Sequence, residues 1–228
     1  MSPAPNTDAP AFNRRGVMLI IASPSGAGKT TLSRLLLQTA GGISMSVSVT
    51  TRPRRASEVD GVHYHFLSRR DFETARDRGD LMEWAEVHGH LYGTPAAPVA
   101  AALAEGKDIL FDVDVQGTLQ LYEKARADIA SVFVLPPSVA EMRSRLQRRA
   151  EDAADVIARR LATARRELPL WSAFDYVIVN DDLDRAFSEL QAILVAERLK
   201  RVRRPALAHV VATLGHELDE ALAGLDVS

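Results

Sequence analysis

Residues 23–31 read Ser23-Pro24-Ser25-Gly26-Ala27-Gly28-Lys29-Thr30-Thr31, directly after the apolar run Val17-Met18-Leu19-Ile20-Ile21-Ala22. A strand, a glycine-rich turn, and a lysine with two hydroxyls opening a helix make a device for holding a nucleoside triphosphate. Backbone N–H groups of the turn and of the helix N-terminus point at phosphate oxygens. Gly26 and Gly28 let the backbone approach and take positive φ. Lys29 brings positive charge, and the Thr30 hydroxyl stands where Mg²⁺ is held. The pattern G-x-x-x-x-G-K-[ST] has Ser23 in place of its first glycine, which a negative φ accommodates. Context then carries the motif: a strand before it and, after it, a helix with Leu32, Leu35 and Leu36 on one face.

A second group of polar residues follows. Ser46-Val47-Ser48-Val49-Thr50-Thr51-Arg52 alternates like a strand, and Arg52, Arg54 and Arg55 cluster at a turn marked by Pro53. Arginine offers phosphate oxygens a planar, bidentate fork that lysine lacks. Glu58, Gly61, Tyr64 and Phe66 come next, then Glu83, Trp84, Tyr92, Gly93 and Thr94. Arginines, tyrosine hydroxyls and carboxylates in one small module suit a nucleoside monophosphate. The arginines and tyrosines would take its phosphate, and a carboxylate would read its base. Asp112 ends a further apolar strand, where a P-loop protein places its second acidic element near Mg²⁺. Asp114, two residues on, is expected to point the same way along that strand. A third feature is the window 148–166, with six arginines at 148, 149, 159, 160, 165 and 166.

The elements that would position these groups are legible in outline. Val17–Ala22, Ile109-Leu110-Phe111, Val132-Phe133-Val134-Leu135 and Tyr176-Val177-Ile178-Val179 are nearly continuous apolar runs, as in parallel strands buried on both faces. Helical patterns separate them, so the fold class is α/β, a parallel sheet flanked by helices. Pro136-Pro137 stops the third strand, and Ser138 with Glu141 reads as a capping box for the next helix. Leu183, Phe187, Leu190 and Leu194 recur at helical spacing behind Asp182, a natural N-cap, and that helix should cover the sheet. The stretch after Pro205 holds another amphipathic segment, His209 to Leu222.

Composition sets outer bounds. The chain has 228 residues, 46% hydrophobic and 25% charged, with net charge −2. That suits one domain with a small insertion, and no global basic field points to a nucleic-acid partner. Cysteine is absent, which excludes disulfides and cysteine-based zinc sites and fits a reducing cytoplasm. No apolar run approaches a membrane span. The first fifteen residues, with three prolines and no apolar centre, read as a disordered tail.

The ordered set of motifs resembles the guanylate kinase family. It comprises Ser46 to Arg55, Glu58 to Phe66, Met82-Glu83-Trp84-Ala85, Leu91-Tyr92-Gly93-Thr94, Asp112 to Gly117, Pro136-Pro137-Ser138, the Arg149 and Arg160 region, and Val179 to Leu183. The resemblance covers residues 16 to 200. It implies a P-loop core (16–45, 99–137 and 167–204), a GMP-binding insertion (46–98) and a mobile helical lid (138–166), beside the tail 1–15 and a C-terminal helical extension, 205–228. It implies transfer of the γ-phosphoryl group of ATP to GMP with Mg²⁺. It puts Ser48, Glu83 and Thr94 at the guanine, and Arg52, Arg55, Tyr64 and Tyr92 at the GMP phosphate, with Glu58 supporting the arginines and Asp114 on the GMP side. Ser23 to Thr31 and Asn180 would hold ATP, Thr30 and Asp112 the metal. Lys29, Arg55, Arg149 and Arg160 would neutralise the transferring group. Lys29, Thr30 and both lid arginines favour an enzyme over a phosphopeptide-binding module of the same shape. Ala150 stands where a glycine is common, which would stiffen the lid slightly.

Overall fold

The computed structural model of the protein describes residues 14–149 and 154–225. Most of the expected tail, Ala150 and the side chain of Arg149 lie outside the described residues. The chain runs β1 (Met18–Ala22), α1 (Lys29–Thr39), β2 (Ile43–Met45), β3 (Ser48–Thr50), β4 (Tyr64–Phe66), α2 (Arg69–Asp77), β5 (Leu81–Val87) and β6 (His90–Pro95). It continues through α3 (Ala96–Ala104), β7 (Asp108–Phe111), α4 (Val115–Ala125), β8 (Ile129–Leu135), α5 (Val139–Arg149), α6 (Ala154–Glu167), β9 (Tyr176–Val179), α7 (Leu183–Leu199) and α8 (Leu207–Leu225).

The core sheet has the order β2-β7-β1-β8-β9, with every pairing parallel. Its central strand sorts its side chains by period two. Val17, Leu19 and Ile21 face α1 and α7, packing with Leu32, Leu36, Ala186, Leu190 and Leu194. Met18 and Ile20 face the other way, onto Val99 and Leu103 of α3 and Leu121 of α4. Helices therefore cover both faces, which is why β1 is apolar at every position. The C-terminal edge of the sheet is left open for the site.

Residues 48–95 form a second sheet, β4-β3-β6-β5, mixed in direction. Its small core is Val49, Leu81 and Leu91 beneath Phe72 of α2. The strands β5 and β6 are joined by His88 and Gly89, both at positive φ, as a two-residue hairpin turn requires. Gln120 of α4 ties this sheet to the core, bonding both backbone N–H and C=O of Trp84 at 3.1 Å. In the lid, α5 and α6 pack through Met142, Leu146 and Ala164. Ser138 Oγ accepts from the Glu141 N–H at 3.1 Å. Glu141 turns its carboxylate to Arg145 and Arg148 instead of closing the expected box.

Four features depart from the sequence reading. The run Tyr176–Val179, expected to be buried on both faces, is the edge strand β9 with Val177 and Val179 exposed, because only β8 flanks it. Asp114 does not lie on a strand: β7 stops at Phe111, and Asp114 is the N-cap of α4, accepting from the Gly117 N–H at 2.8 Å. The strand β2, short and half exposed on the sheet edge, gave no apolar signal. Arg14 and Arg15, expected at the end of a loose tail, are held: Arg15 pairs with Asp128 at 2.6 Å, and Arg14 joins a buried knot at Asp108. The Asp108 carboxylate is fully buried. It accepts from Arg14 Nη1 at 2.6 Å and Nη2 at 2.9 Å, Arg198 Nε at 2.7 Å and the Val17 N–H at 2.8 Å. That ties the chain's start, β7 and α7 together. Asp108→Ala leaves two arginines and a buried N–H without their acceptor, and should destabilise the protein by about 3–5 kcal/mol in urea unfolding.

Candidate functional site

The loop after β1 closes with Ala27 N–H donating to Pro24 C=O, and Thr31 and Leu32 N–H to Gly28 C=O. Gly26 has φ 89° and Gly28 φ 105°. A Cβ on Gly28 would lie 2.1 Å from Asn180 Nδ2, so both conformation and space demand glycine there. Among described non-glycine residues only His88 has positive φ, so Ser23 sits in ordinary backbone, as its side chain needs. The first-turn N–H groups of α1 open into a cavity of about 580 Å³. Lys29, Thr30 and Asp114 line it on the core side, Arg159 and Arg160 from α6, and His88 from the hairpin tip. Lys29 Nζ is ion-paired with Asp112.

Glu167, the last residue of α6, also lines this cavity. Burial raises its pKa and Asp114 adds to that, while Lys29 and the Ser25 N–H oppose it. Its carboxylate thus faces the loop where a phosphate oxygen would sit. Sequence reasoning gave it no role, because a lone glutamate at the end of an arginine-rich helix looks like a solvated charge.

On the far side of Asp112 and Val113 lies a second cavity of about 320 Å³, lined among others by Ser48, Tyr64, Thr94 and Asp112. Glu83 and Thr94 are cross-strand partners on β5 and β6. The Thr94 hydroxyl donates to Glu83 Oε1 at 2.7 Å, and both residues are buried. Burial pushes the Glu83 carboxyl above its ordinary 4.5, the Thr94 hydrogen bond restrains the rise, and the Asp114 charge adds to it. Beside Tyr64, Arg52 donates from Nη2 to Glu58 Oε1 at 2.7 Å and from Nε to Tyr92 Oη at 3.2 Å. Its guanidinium lies 5.6 Å from the Tyr64 ring centroid, and Tyr64 meets Tyr92 edge-on. Glu58 Oε2 accepts from the Arg55 N–H at 2.8 Å, fixing the turn, and Arg55 is exposed. The Arg52 hydrogen bond holds the Glu58 carboxyl below the usual range.

Asn180, after β9, is buried and donates from Nδ2 to Ala27 C=O at 2.7 Å. Arg145 of α5 reaches the same carbonyl at 3.2 Å and Asn180 C=O at 3.0 Å, while Glu141 accepts from its Nε at 2.8 Å. Gly26, Gly28, Thr31, Arg145 and Asn180 thereby surround a third cavity of about 290 Å³. Sequence reasoning missed Arg145, one arginine among many, because its partners lie 118 and 35 residues away. Of the two expected lid arginines, Arg160 is at the first cavity, while the Arg149 side chain is outside the described residues.

Comparison with known proteins places the chain beside one family. The family described as Guanylate kinase matches residues 15–197. A guanylate kinase of Chelativorans sp. (strain BNC1) is 58% identical over 209 residues, 92% of this chain and 96% of that protein. One from Rhizobium etli is 59% identical over 204 residues, 90% of this chain and 93% of that protein. The crystal structure of guanylate kinase from Anaplasma phagocytophilum superposes with TM-score 0.68 at 34% identity, covering 87% of this chain and 95% of that one.

Gly28→Ala tests the cradle. The substitution forces a left-handed alanine, costing about 1–2 kcal/mol, and drives Asn180 off Ala27. The expected result is weaker triphosphate binding by at least about tenfold, equivalent to about 1.4 kcal/mol, in a calorimetric titration, with a lowered urea midpoint.

Proposed function

The chain belongs to the guanylate kinase family, and on that premise we propose that it transfers the γ-phosphoryl group of ATP to GMP, giving ADP and GDP, with its roles divided between the cavities described. The observation that carries this division is their adjacency. The phosphate cradle and the second cavity, which Thr94, the hydrogen-bond partner of Glu83, lines, share Val113 as a wall, with Asp112 and Lys29 paired at the boundary. A donor triphosphate in one and an acceptor monophosphate in the other would meet at that boundary.

Guanine presents N1–H and the N2 amine side by side. Glu83, buried with one hydrogen bond from Thr94, can accept from both, with Ser48 and Thr94 around the ring. Adenine offers no such pair of donors and would leave a buried charge poorly matched, a discrimination of several orders of magnitude where donors are required. Arg52, Tyr64 and Tyr92 form a rigid phosphate clamp, and the Arg55 guanidinium completes it. Glu58 orients both arginines, and Asp114 anchors α4 beside the acceptor. Asn180, with Arg145, shapes the cavity behind the loop for the adenine of ATP.

Phosphoryl transfer asks the protein for alignment and charge neutralisation more than covalent chemistry. The loop from Ser23 to Thr31 and Lys29 hold the donor phosphates. Arg55, Arg149 and Arg160 would neutralise charge on the transferring group, and the lid carrying the last two would exclude water. Mg²⁺ typically takes one or two protein oxygens and keeps waters and phosphates as its other ligands. The Thr30 hydroxyl at the cavity and the exposed Asp112 carboxylate fit that donor set. Bound there, the metal would neutralise charge on the donor phosphates. The cytoplasm is the compartment we assign, and among the described residues no helix is long and apolar enough to cross a membrane.

Two measurements test the proposal. ADP formation with GMP, AMP, CMP and UMP in parallel should be rapid with GMP alone. Turnover with another monophosphate would overturn the role of Glu83.

Glu83→Gln separates binding from folding. The raised carboxyl pKa means the charged form is disfavoured in the folded state. Wild-type stability therefore falls as pH rises from about 4.5 through the raised folded value. Glutamine does not titrate, so E83Q should melt above wild type at pH 7 and lose that advantage below pH about 4.5. Its kcat/KM for GMP should drop by about 100-fold or more. A variant with full GMP activity would show that the carboxylate does not read the base.

A further inference from the structure

The helix α8 stands apart from the rest of the molecule. Val211, Leu214, Leu218, Leu222 and Leu225 are each 52–72% exposed, and no residue of the helix is buried. The segment matched by the family ends at residue 197, before this helix begins. Its apolar residues are not scattered. Leu207, Val211, Leu214, Leu218, Ala221 and Leu225 follow steps of four, three, four, three and four, the seam of a two-helix coiled coil. Val210 and Leu222 widen that seam, and Gly215 and Gly224 flank it without bulk. His209, His216, Asp219 and Glu220 lie on the opposite side, where His216 and Glu220 pair at 3.3 Å. Glu217 is the one charge bordering the apolar face.

We propose that this face pairs with the same face of a second copy of the chain, the two helices running antiparallel. The seam is its own complement under that reversal. Reflected about position 216, Leu207 meets the partner's Leu225, Val211 the partner's Ala221, and Leu214 the partner's Leu218. At the root of the helix a groove of about 540 Å³ lies among Val202, Pro205, Leu207, Ala208 and Val211, between Arg201 and Arg204. The reversal delivers Leu222 and Leu225 of the other copy to that groove. Charge agrees in sense: the root carries Arg201 and Arg204, and the distal half carries Glu217 at the border of the face. Antiparallel pairing brings acid toward base, whereas a parallel pair would stack the two basic roots.

Area agrees as well. Each exposed leucine or valine offers on the order of 100 Å² of apolar surface, so Val202 and the five exposed residues of α8, counted on both copies, reach the roughly 1,000 Å² that a specific interface needs. Residues 1–13 would be a poor alternative cover, since Met1 and Phe12 are their only large apolar side chains. None of the paired residues belongs to the cavities assigned to ATP and GMP.

Sedimentation of the full chain tests this. Its mass is 24.9 kDa; the wild type at tens of micromolar should sediment at twice that. Leu214→Glu with Leu218→Glu in one chain should sediment as a monomer, with kinase activity and circular dichroism of the core unchanged. His216→Ala with Glu220→Ala, on the outer side, should remain a dimer. The chain has no cysteine, so single cysteines report the orientation. Leu225→Cys mixed with Leu207→Cys should form a mixed disulfide dimer, and Leu225→Cys alone should not cross-link. A wild type that stays monomeric, or a double glutamate variant that stays dimeric, would overturn the inference, leaving the face in the first case to a membrane surface or a different protein. Self-cross-linking of Leu225→Cys would overturn the antiparallel arrangement.

Discussion

A carboxylate taken out of water organises the join between the second sheet and the core of this molecule. Glu83 sits on β5 with one oxygen satisfied by Thr94 and the other beside the first turn of α4, 3.4 Å from where a Cβ on Gly117 would lie. A buried anion with few partners is costly, and three features of the fold reduce that cost. The cross-strand register sets Thr94 opposite it. The N-terminus of α4 presents the positive end of a helix. Gly117 leaves room for the carboxylate to approach that helix. What these do not satisfy, a base with two adjacent donors can. On the proposed reading, selectivity resides in an incomplete hydrogen-bond arrangement that the free protein tolerates.

The same helix connects the two halves. It is capped by Asp114 immediately after the core strand β7, and through Gln120 it acts as one more partner for the backbone of β5. Lys124, further along, donates to Leu81 C=O at 2.5 Å. The insertion is therefore attached along a helix face, with the reading carboxylate at the join. By contrast α5 and α6 have their own small core, and they meet the P-loop through Met142 and Leu146 over Gly26 and through polar contacts of Arg145 and Glu167.

What the sequence disclosed follows the strength of each physical signal. The strands β1, β7 and β8 were visible because burial on both faces leaves few polar positions, β9 because its residues are apolar although Val177 and Val179 stand on an exposed face, and the P-loop because its spacing is rigidly set by phosphate geometry. Asp114 was misplaced on a strand because two aspartates at period two look the same whether the strand continues or a helix begins. The difference lies in Gly117, whose N–H the side chain caps. The edge strand β2 has three residues and little burial, so it had no pattern to show. Arg145, Glu167 and the Asp108 knot depend on partners distant in sequence, and no local spacing encodes such meetings. The seam of α8 was visible as amphipathic, but an amphipathic helix that finds no cover on its own body differs from a core helix only once the fold is known.

The charges of the site are arranged in pairs before any substrate arrives. Lys29 is held by Asp112, Arg52 by Glu58 and Arg145 by Glu141. Left alone, these cations would repel one another across narrow cavities and attract any passing anion. Paired, they respond only to a ligand that brings more negative charge, or better geometry, than one carboxylate. A nucleotide phosphate meets both conditions, since its several oxygens accept from the loop N–H groups and the cations together. In the proposed reaction Lys29 would exchange Asp112 for a donor phosphate, and the freed Asp112 carboxylate would then be available, with Thr30, to hold Mg²⁺. The Arg52–Glu58 pair persists and keeps the clamp aligned. Glu167 extends the same logic to the cradle itself: it lines the cavity at the end of α6 and is drawn to Lys29 and the Ser25 N–H, so a triphosphate bound there would compete with it for the same partners.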